Sequence, residues 1–268
     1  MKRNILFCTV ILCAFFTVFS VQAQDQPPVA TLTFMDAEAG YVDLETKIWK
    51  PMHAKRVANG KIYGWYLYRV ANPYDAKRGY NYMTAEVYPN WNALEGAYSD
   101  LGAIAAEVHP GTPMSEITRR TEEARSIVRS TVWTRRDGVV KDGVTNADVK
   151  YVVVDWMDVH PGHMGEYMDM EREVFKPVHQ TRVDDGHILG WSLFTRVGGY
   201  SDLPGGMDAA TGASYASWAD IWDSYPDDAW ERAHPGVDPA EMFAEILKHR
   251  NMLGSTIFEL VDYVEAQE

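Results

Sequence analysis

The sequence has 268 residues, a formal net charge of −13 and two cysteines. This length is typical of one large domain or two ordinary ones. An apolar fraction of 46% with 12% aromatic residues excludes a disordered chain. The acidity argues against a nucleic-acid partner, which needs a basic surface. Two cysteines are too few for a disulfide scaffold or a zinc site of four thiolates.

The first 23 residues have the pattern of a secretory signal peptide. A positive start with Lys2 and Arg3 precedes an apolar run, and residues 21–23 have the small-x-small form of a cleavage site. The alternative is a transmembrane anchor. However, the run is near the lower length limit for a span, and no basic stop-transfer group follows it. We therefore predict cleavage after Ala23 and a loose leader over residues 24–30.

Cleavage changes the composition of the mature chain. Both cysteines lie in the signal, so the mature chain has no thiol for catalysis, metal binding or disulfides. Exported proteins without cysteines are ordinary in the bacterial periplasm, and we expect a periplasmic or secreted location. Removal of Lys2 and Arg3 leaves 23 basic and 38 acidic residues, a net charge of −15. No later segment of the sequence is long and apolar enough to predict a membrane span.

The mature chain contains the same unit twice. Residues 38–68 match residues 164–194 without a gap, with 13 identities in 31 positions. A second block aligns at nearly the same offset, where His-Pro-Gly at 109 meets His-Pro-Gly at 234 and Arg125 meets Arg250. The period is too long for a solenoid repeat and suits a small domain. We predict units at 31–136 and 150–268, joined by a linker at 137–149.

Strands and helices alternate within each unit. The first unit has predicted strands at 31–35, 62–70, 80–88 and 129–135, with main helices at 38–58 and 113–128. The second has predicted strands at 151–156, 188–197, 214–222 and 254–264, with main helices at 164–184 and 239–253. Gly60 and Gly186 are expected to end the two long helices. The order β-α-β-β-α-β, present twice, predicts an α+β fold of tandem ferredoxin-like repeats.

Each unit resembles the dimeric α/β-barrel superfamily. The resemblance covers nearly all of the mature chain and rests on the element order and on Lys-Pro-x-His at 50–53 and 176–179, each followed by Gly-Trp. In that superfamily two ferredoxin-like units set their sheets face to face. The resemblance therefore implies an intrachain α/β barrel with a pseudo-two-fold axis, which also covers the sheet face that a lone unit leaves open.

The resemblance implies several activities. Members include cofactor-free monooxygenases of aromatic compounds, haem-degrading and haem-using enzymes, and small-molecule-binding proteins. Fused members include haem proteins of the chlorite-dismutase and dye-peroxidase kind, whose ligand motifs this sequence does not visibly carry. Fold does not fix function among these, so the sequence leaves the cofactor unknown.

Repeated polar residues follow one margin of the apolar stripe on the long helix. With Tyr41 at 0° and about 100° per residue, Glu45 lies at about 40°, Arg56 at about 60°, Trp49 at about 80° and His53 at about 120°. The second unit repeats the margin with Glu171, Phe175, Arg182 and His179. Asp43, Lys47 and Lys50 are predicted to point toward water.

Two interpretations of this margin stay open. In the functional one, the catalytic groups are Glu45, His53, Arg56, Glu171, His179 and Arg182, and the ligand-binding rings are Trp49, Trp65, Phe175 and Trp191. In the structural one, Pro51 and Pro177 each free a carbonyl, near residue 47 or 173, and a nearby His or Arg satisfies it. The aromatic residues then fill the core.

The remaining histidines predict no metal site. His109 and His234 precede Pro-Gly, so a turn histidine that caps a helix is expected. His160 and His163 are assigned to a loop before the long helix. No His-x-x-x-His, His-x-Glu or acidic calcium-loop pattern is present.

Three functions compete at this point. The first is an exported barrel that binds a small apolar or aromatic molecule and oxidises it as a cofactor-independent monooxygenase would. The second is haem binding through one histidine. The third is a non-enzymatic partner protein that uses the acidic surface and the glycine-rich excursion at 197–212. A barrel interior filled with side chains is expected to favour the third.

Overall fold

The computed structural model describes residues 27–71, 79–199, 206–223 and 228–266. The predicted signal peptide and most of the leader lie outside these residues, as does part of the excursion at 197–212. In the described ranges, no helix has both the length and the apolar character that crossing a membrane requires.

The first half has four strands: β1 (Val29–Ala37), β2 (Gly64–Val70), β3 (Tyr82–Tyr88) and β4 (Arg125–Val140). Between β1 and β2 lies the first long helix, built from Tyr41–Leu44, Glu45–Trp49 and Lys50–Ala58 without interruption. The helices between β3 and β4 are Trp91–Glu95, Leu101–Val108 and Met114–Ala124. β4 begins at Arg125 and ends at Val140, so it extends beyond the predicted strand, 129–135, at both ends. Because it begins earlier, the helix before it ends at Ala124 and is shorter than predicted.

The second half repeats this order with β5 (Tyr151–Val159), β6 (Gly190–Gly199), β7 (Ala209–Tyr215) and β8 (Arg250–Glu265). Its second long helix consists of Met164–Met170, Glu171–Phe175 and Lys176–Asp184. The short helices Trp218–Trp222, Ala229–Ala233 and Pro239–Ile246 precede β8.

The predicted third strand of the second half, 214–222, was wrong. The strand is β7, and Trp218–Trp222 is a helix with Ser217 as its N-cap and a capping box to Asp220. The sequence of β7, Ala-Ala-Thr-Gly-Ala-Ser-Tyr, has weak strand propensity. Tertiary pairing with β5 and β6 forms it, because both neighbours supply hydrogen bonds along its length.

The eight strands of the described residues form one closed antiparallel barrel in the order β1-β3-β2-β8-β5-β7-β6-β4. Each half contributes four adjacent strands in the ferredoxin-like order. The two long strands close the barrel. β4 pairs with β1 and then with β6 of the other half, while β8 pairs with β5 and then with β2.

Two equivalent ion pairs cross between the halves. Lys50 of the first long helix contacts Asp262 on β8 at 2.5 Å, and Lys176 of the second contacts Asp137 on β4 at 2.7 Å. The prediction that Lys50 points toward water holds only in part, because its side chain is 36% exposed and ends on Asp262. It could not foresee that β8 of the other half passes beneath this helix.

Side chains from both halves fill the barrel interior. These side chains form one buried cluster in which aromatic residues dominate, namely Phe34, Tyr80, Trp133, Trp156 and Phe258. Trp156 contacts both Phe34 and Trp133 edge-on, with ring centroids 5.8 Å apart in each case. Trp65 and Trp191 belong instead to separate clusters between each half's sheet and its helices. The repeated tryptophans therefore lie on the outer face of the sheet, beneath the helices.

Each long helix contains one π-helical turn immediately before its proline. The turns are Glu45–Trp49 and Glu171–Phe175, and Pro51 and Pro177 follow two residues later. A π turn takes one more residue than an α turn, so the following residues rotate back by about 100°. His53 thereby moves from about 120° to about 20°, close to Glu45 at about 40°. The structure thus has a π turn next to each proline, where a bend was predicted, and this turn converts a margin into a buried face.

A histidine from the His-Pro-Gly turn satisfies a carbonyl of each π turn. His109 Nε2 donates to the Ile48 carbonyl at 2.8 Å, and His234 Nε2 donates to the Val174 carbonyl at 2.7 Å. The carbonyl oxygen only accepts, so the proton lies on Nε2 in both rings. The structural interpretation gave this role to a histidine or arginine near the proline. The histidine that contacts a carbonyl here comes instead from the His-Pro-Gly turn, and the carbonyls are those of Ile48 and Val174.

His109→Ala is expected to lower the free energy of unfolding by about 1–3 kcal/mol, because the Ile48 carbonyl loses its partner. His187→Ala is the matched control, since His187 also contacts a carbonyl, that of Asp223, but this contact is exposed to solvent. The control is expected to change stability by less than about 0.5 kcal/mol. Urea unfolding measures both, and equal losses in the two variants would contradict the assignment.

Candidate functional site

The first cleft lies between the outer sheet face and the helices of the first half. Its volume is about 720 Å³. The long helix contributes Glu45, Trp49 and His53, β2 contributes Trp65, and Arg125 enters from the start of β4. The second cleft is the equivalent space of the second half and is smaller, about 320 Å³. Glu171, Phe175, His179 and Trp191 line it, together with Arg250.

The histidine of each cleft is fixed by stacking and by an arginine. The His53 ring stacks on Trp65 with centroids 5.0 Å apart and an angle of 11°, and His179 stacks on Trp191 at 4.9 Å and 14°. Trp49 faces His53 from a second direction, at 5.9 Å. These contacts join His53 with Trp49 and Trp65 in the first half, and His179 with Trp191 in the second.

The tautomer of both rings follows from their arginine partners. Arg56 Nη1 lies 3.0 Å from His53 Nδ1, and Arg182 Nη1 lies 2.8 Å from His179 Nδ1. A guanidinium only donates, so Nδ1 accepts and the neutral ring carries its proton on Nε2. Burial lowers the pKa of His53 to about 4 and that of His179 to about 3, so both rings are neutral at pH 7.

Arg56 lies behind His53, away from the cleft. It is fully buried and also donates to Glu86 Oε2 at 2.8 Å, to the Ala97 carbonyl at 3.0 Å and to the Tyr88 hydroxyl at 3.3 Å. Its predicted place in the catalytic set is therefore one of positioning: it holds the ring of His53. Such a buried pair is costly to break by removing one partner.

Each cleft contains a buried glutamate that titrates near neutrality. Burial raises the pKa of Glu45 to about 7, against the lowering effect of the Tyr41 hydroxyl and of Arg125. Burial likewise raises the pKa of Glu171 to about 7, against Arg250 and the Tyr167 hydroxyl. A carboxyl that can gain or lose a proton at pH 7 inside a cleft is suited to general acid–base chemistry.

Sequence reasoning missed several residues of the first cleft, among them Arg125, Glu86 and Tyr98. Arg125 was visible as a repeat identity with Arg250, yet its position at the end of a predicted helix hid its role. Glu86 and Tyr98 left no such signal, because Glu86 is not repeated: Ala213 takes its place opposite Trp191. Only strand pairing brings Glu86 next to Trp65.

No metal site is found among the described residues, where no group of three or more His, Asp or Glu side chains could hold an ion. His160 contacts the Lys248 carbonyl, and His163 Nδ1 lies 3.0 Å from His249 Nδ1. His160 and His163 thus contact the residues that directly follow the last helix.

Comparison with solved structures places this architecture. An anthrone oxidase-like protein matches 91% of this chain and 95% of its own length, with a TM-score of 0.55 and 12% identity. A candidate monooxygenase from Fusobacterium nucleatum subsp. nucleatum matches 90% of this chain and 95% of its own, with a TM-score of 0.51 and 11% identity. The chain has the dimeric α/β-barrel fold. No family model and no curated protein matches the sequence.

A candidate chlorite dismutase also aligns with this dimeric α/β barrel, over 88% of this chain and 96% of its own. Its TM-score is 0.47 and its identity 12%. At these identities the shared property is the fold, and function has to be argued from the clefts.

Replacing Glu45 and Glu171 together by Gln is expected to make stability fall more steeply as the pH is lowered from 7 to 5. Each glutamate takes up a proton near pH 7 in the folded barrel, but near pH 4.5 when unfolded. The folded state therefore binds more protons in this window, and the pair adds stability as the pH falls.

Each Gln removes about 1.4 kcal/mol per pH unit of this gain. The lowered pKa values of His53 and His179 act in the opposite direction below pH 6.5 and are left unopposed in the variant. Urea unfolding at pH 5, 6 and 7 measures the slopes. Equal slopes for the variant and the wild type would show that the two glutamates do not titrate as described.

Proposed function

We propose that the first cleft binds a flat aromatic molecule and oxygenates it without a cofactor. The observation that carries this is a buried carboxyl, Glu45, with a pKa of about 7 in a cleft of about 720 Å³ walled by Trp49, His53 and Trp65. Ligand sites commonly have volumes of about 300–1,000 Å³, and the volume of this cleft lies within that range. The likeness in fold to an anthrone oxidase-like protein supports the proposal.

The proposed substrates are aromatic ketones in which a CH₂ group is attached to a ring that is conjugated with the carbonyl. This conjugation makes the CH₂ protons acidic. Glu45, as the carboxylate, removes one proton from this carbon, and the electron pair spreads into the ring system and onto the carbonyl oxygen. Arg125 and the Nε2–H of His53 are the cleft's donors for that oxygen. Glu45 is then the base and the two donors stabilise the enolate.

The substrate itself supplies the electrons that reduce dioxygen. The carbanion adds O₂ to form a C–O bond, which yields a peroxide anion, and this anion takes the proton back from Glu45. The hydroperoxide then loses water as the carbon becomes a carbonyl. One CH₂ group and one O₂ give one C=O group and one H₂O, so the balance requires no further reductant.

The cleft histidines do not fit the haem alternative. An imidazole that binds iron through Nε2 needs its proton on Nδ1, where it would donate to a second group. In both clefts Nδ1 faces an arginine donor, so the proton lies on Nε2. Iron binding through Nε2 would require each ring to give up its arginine contact.

The filled barrel interior does not decide in favour of a non-enzymatic role. That expectation placed the ligand inside the barrel. The clefts instead lie on the opposite face of the sheet, beneath the helices, and the interior cluster of Phe34 and Trp156 supports the sheet from behind.

Glu45→Gln is expected to reduce enzyme-dependent oxygen uptake with anthrone by about 100-fold or more, because the general base is removed. Wild-type activity is expected to rise with pH through about 7, as Glu45 loses its proton. The matched control is Glu171→Gln in the second cleft, which is expected to retain most of the activity. An oxygen electrode measures the rate, with the rate in buffer subtracted. The proposal is wrong if wild type does not exceed the buffer rate, or if Glu45→Gln matches wild type.

We also propose that the protein is exported and cleaved after Ala23. The support is the charged start, the apolar run and the small-x-small site over residues 21–23. N-terminal sequencing of protein recovered from a periplasmic fraction is expected to begin at Gln24. Recovery of the chain from the cytoplasm with Met1 in place would contradict export.

A further inference from the structure

The second cleft has a different distribution of charge from the first, although the backbone is equivalent. Thr33 pairs with Thr84, and at the same register Asp155 pairs with Thr211. Opposite Trp191, Ala213 takes the place of Glu86. In the first half the non-repeated carboxylate is Glu86, next to Arg56, whereas in the second half it is Asp155, near Arg250. The two clefts therefore differ in the polar groups offered to a ligand.

The second cleft contains two buried donors without an acceptor. Arg250 is 9% exposed and Trp191 is 2% exposed, and both line this cleft. Within the described residues, neither Arg250 Nε nor Trp191 Nε1 has a hydrogen-bond partner. An unsatisfied buried donor costs about 1–3 kcal/mol. Two of them in one cleft indicate a ligand that brings acceptor oxygens.

The walls define the rest of the ligand. Phe175 and Phe243 lie 5.5 Å apart by ring centroid, and Trp191 with the stacked His179 forms another aromatic surface. The volume of about 320 Å³ is at the lower end of the range for small-molecule sites. A single aromatic ring with an oxygen-bearing group fits these limits better than a fused ring system.

We propose that the second cleft is a separate binding site for a small aromatic carboxylate, whose oxygens accept from Arg250 Nε and Trp191 Nε1. The ring packs against Phe175, Phe243 and Trp191. This site does not depend on oxygenation in the first cleft. The two halves of the barrel then bind different molecules.

The neighbouring acids adjust to the incoming charge. Glu171 and Asp155 both lie near Arg250, and burial raises the pKa of each, that of Glu171 to about 7. A bound carboxylate repels their anionic forms, so binding is coupled to proton uptake by Glu171. The facing charged groups also include Arg182, which holds His179 and is not available to change this balance. Binding is therefore expected to be about tenfold tighter at pH 6 than at pH 8.

Calorimetric titration with benzoate tests the proposal on the full mature chain. One benzoate is expected per chain, and Arg250→Met is expected to weaken binding at least tenfold. Benzyl alcohol, which lacks the charge, and acetate, which lacks the ring, are each expected to bind more weakly than benzoate. Arg125→Met makes the equivalent change in the first cleft and is expected to leave benzoate binding within about twofold of wild type.

A second variant guards against loss of folding. Trp191→Phe keeps an aromatic ring but removes Nε1–H, and it is expected to weaken benzoate binding several-fold while the far-UV circular dichroism is unchanged. Benzoate binding that survives both Arg250→Met and Trp191→Phe overturns the proposal. So does a loss caused by Arg125→Met, which would assign the anion to the first cleft. Oxygen uptake with anthrone is measured separately, so failure of one proposal is distinguishable from failure of the other.

Discussion

Pro51 and Pro177 lack the backbone N–H that an α-helix needs at their positions, and each long helix responds with one π turn. That turn rotates everything after it by about 100°, which sets His53 above the same face as Glu45. The carbonyl exposed in the turn then requires a donor, which the His-Pro-Gly loop supplies as His109. The position of the acid, the orientation of the imidazole and the docking of the following helices thus share one backbone origin.

The two halves show what this scaffold fixes and what it leaves variable. The glutamate, the stacked His–Trp pair and the arginine behind the histidine are the same in both. The residues around them differ, with Trp49 and Glu86 in one half and Phe175 and Asp155 in the other. Since strand side chains alternate between faces, a single substitution on the outer face changes a cleft without disturbing the barrel interior.

The repeat made the fold predictable, because two copies with the same element order define the sheet topology and the need to cover its open face. The limits of prediction are equally physical. A helical wheel of about 100° per residue has no π turn in it, so His53 was placed at a margin instead of on a buried face. Lys50 was placed in solvent because its partner, Asp262, lies on a strand of the other half.

The candidate site was predictable as far as the long helices reach. Glu45, Trp49 and His53 were predicted together because they lie on one helix whose pattern is repeated, and Trp65 was predicted separately as a ligand-binding ring on the next strand. Glu86 is brought in only by strand pairing, and Arg125 only by the start of β4. The small residues of β7 carry no strand signal of their own, since neighbours on both sides supply the order.

The long strands β4 and β8 have a consequence for how the protein holds together. Each belongs to both halves at once, so the hydrogen bonds that unite the halves lie within the sheet and not at a docked surface. The connection between Val140 and Tyr151 lies between two strands and not within the sheet. A chain cut there would keep its strand neighbours, so the two pieces are expected to assemble as a heterodimer through β4 and β8, although the residues that meet in the barrel interior must still fit each other.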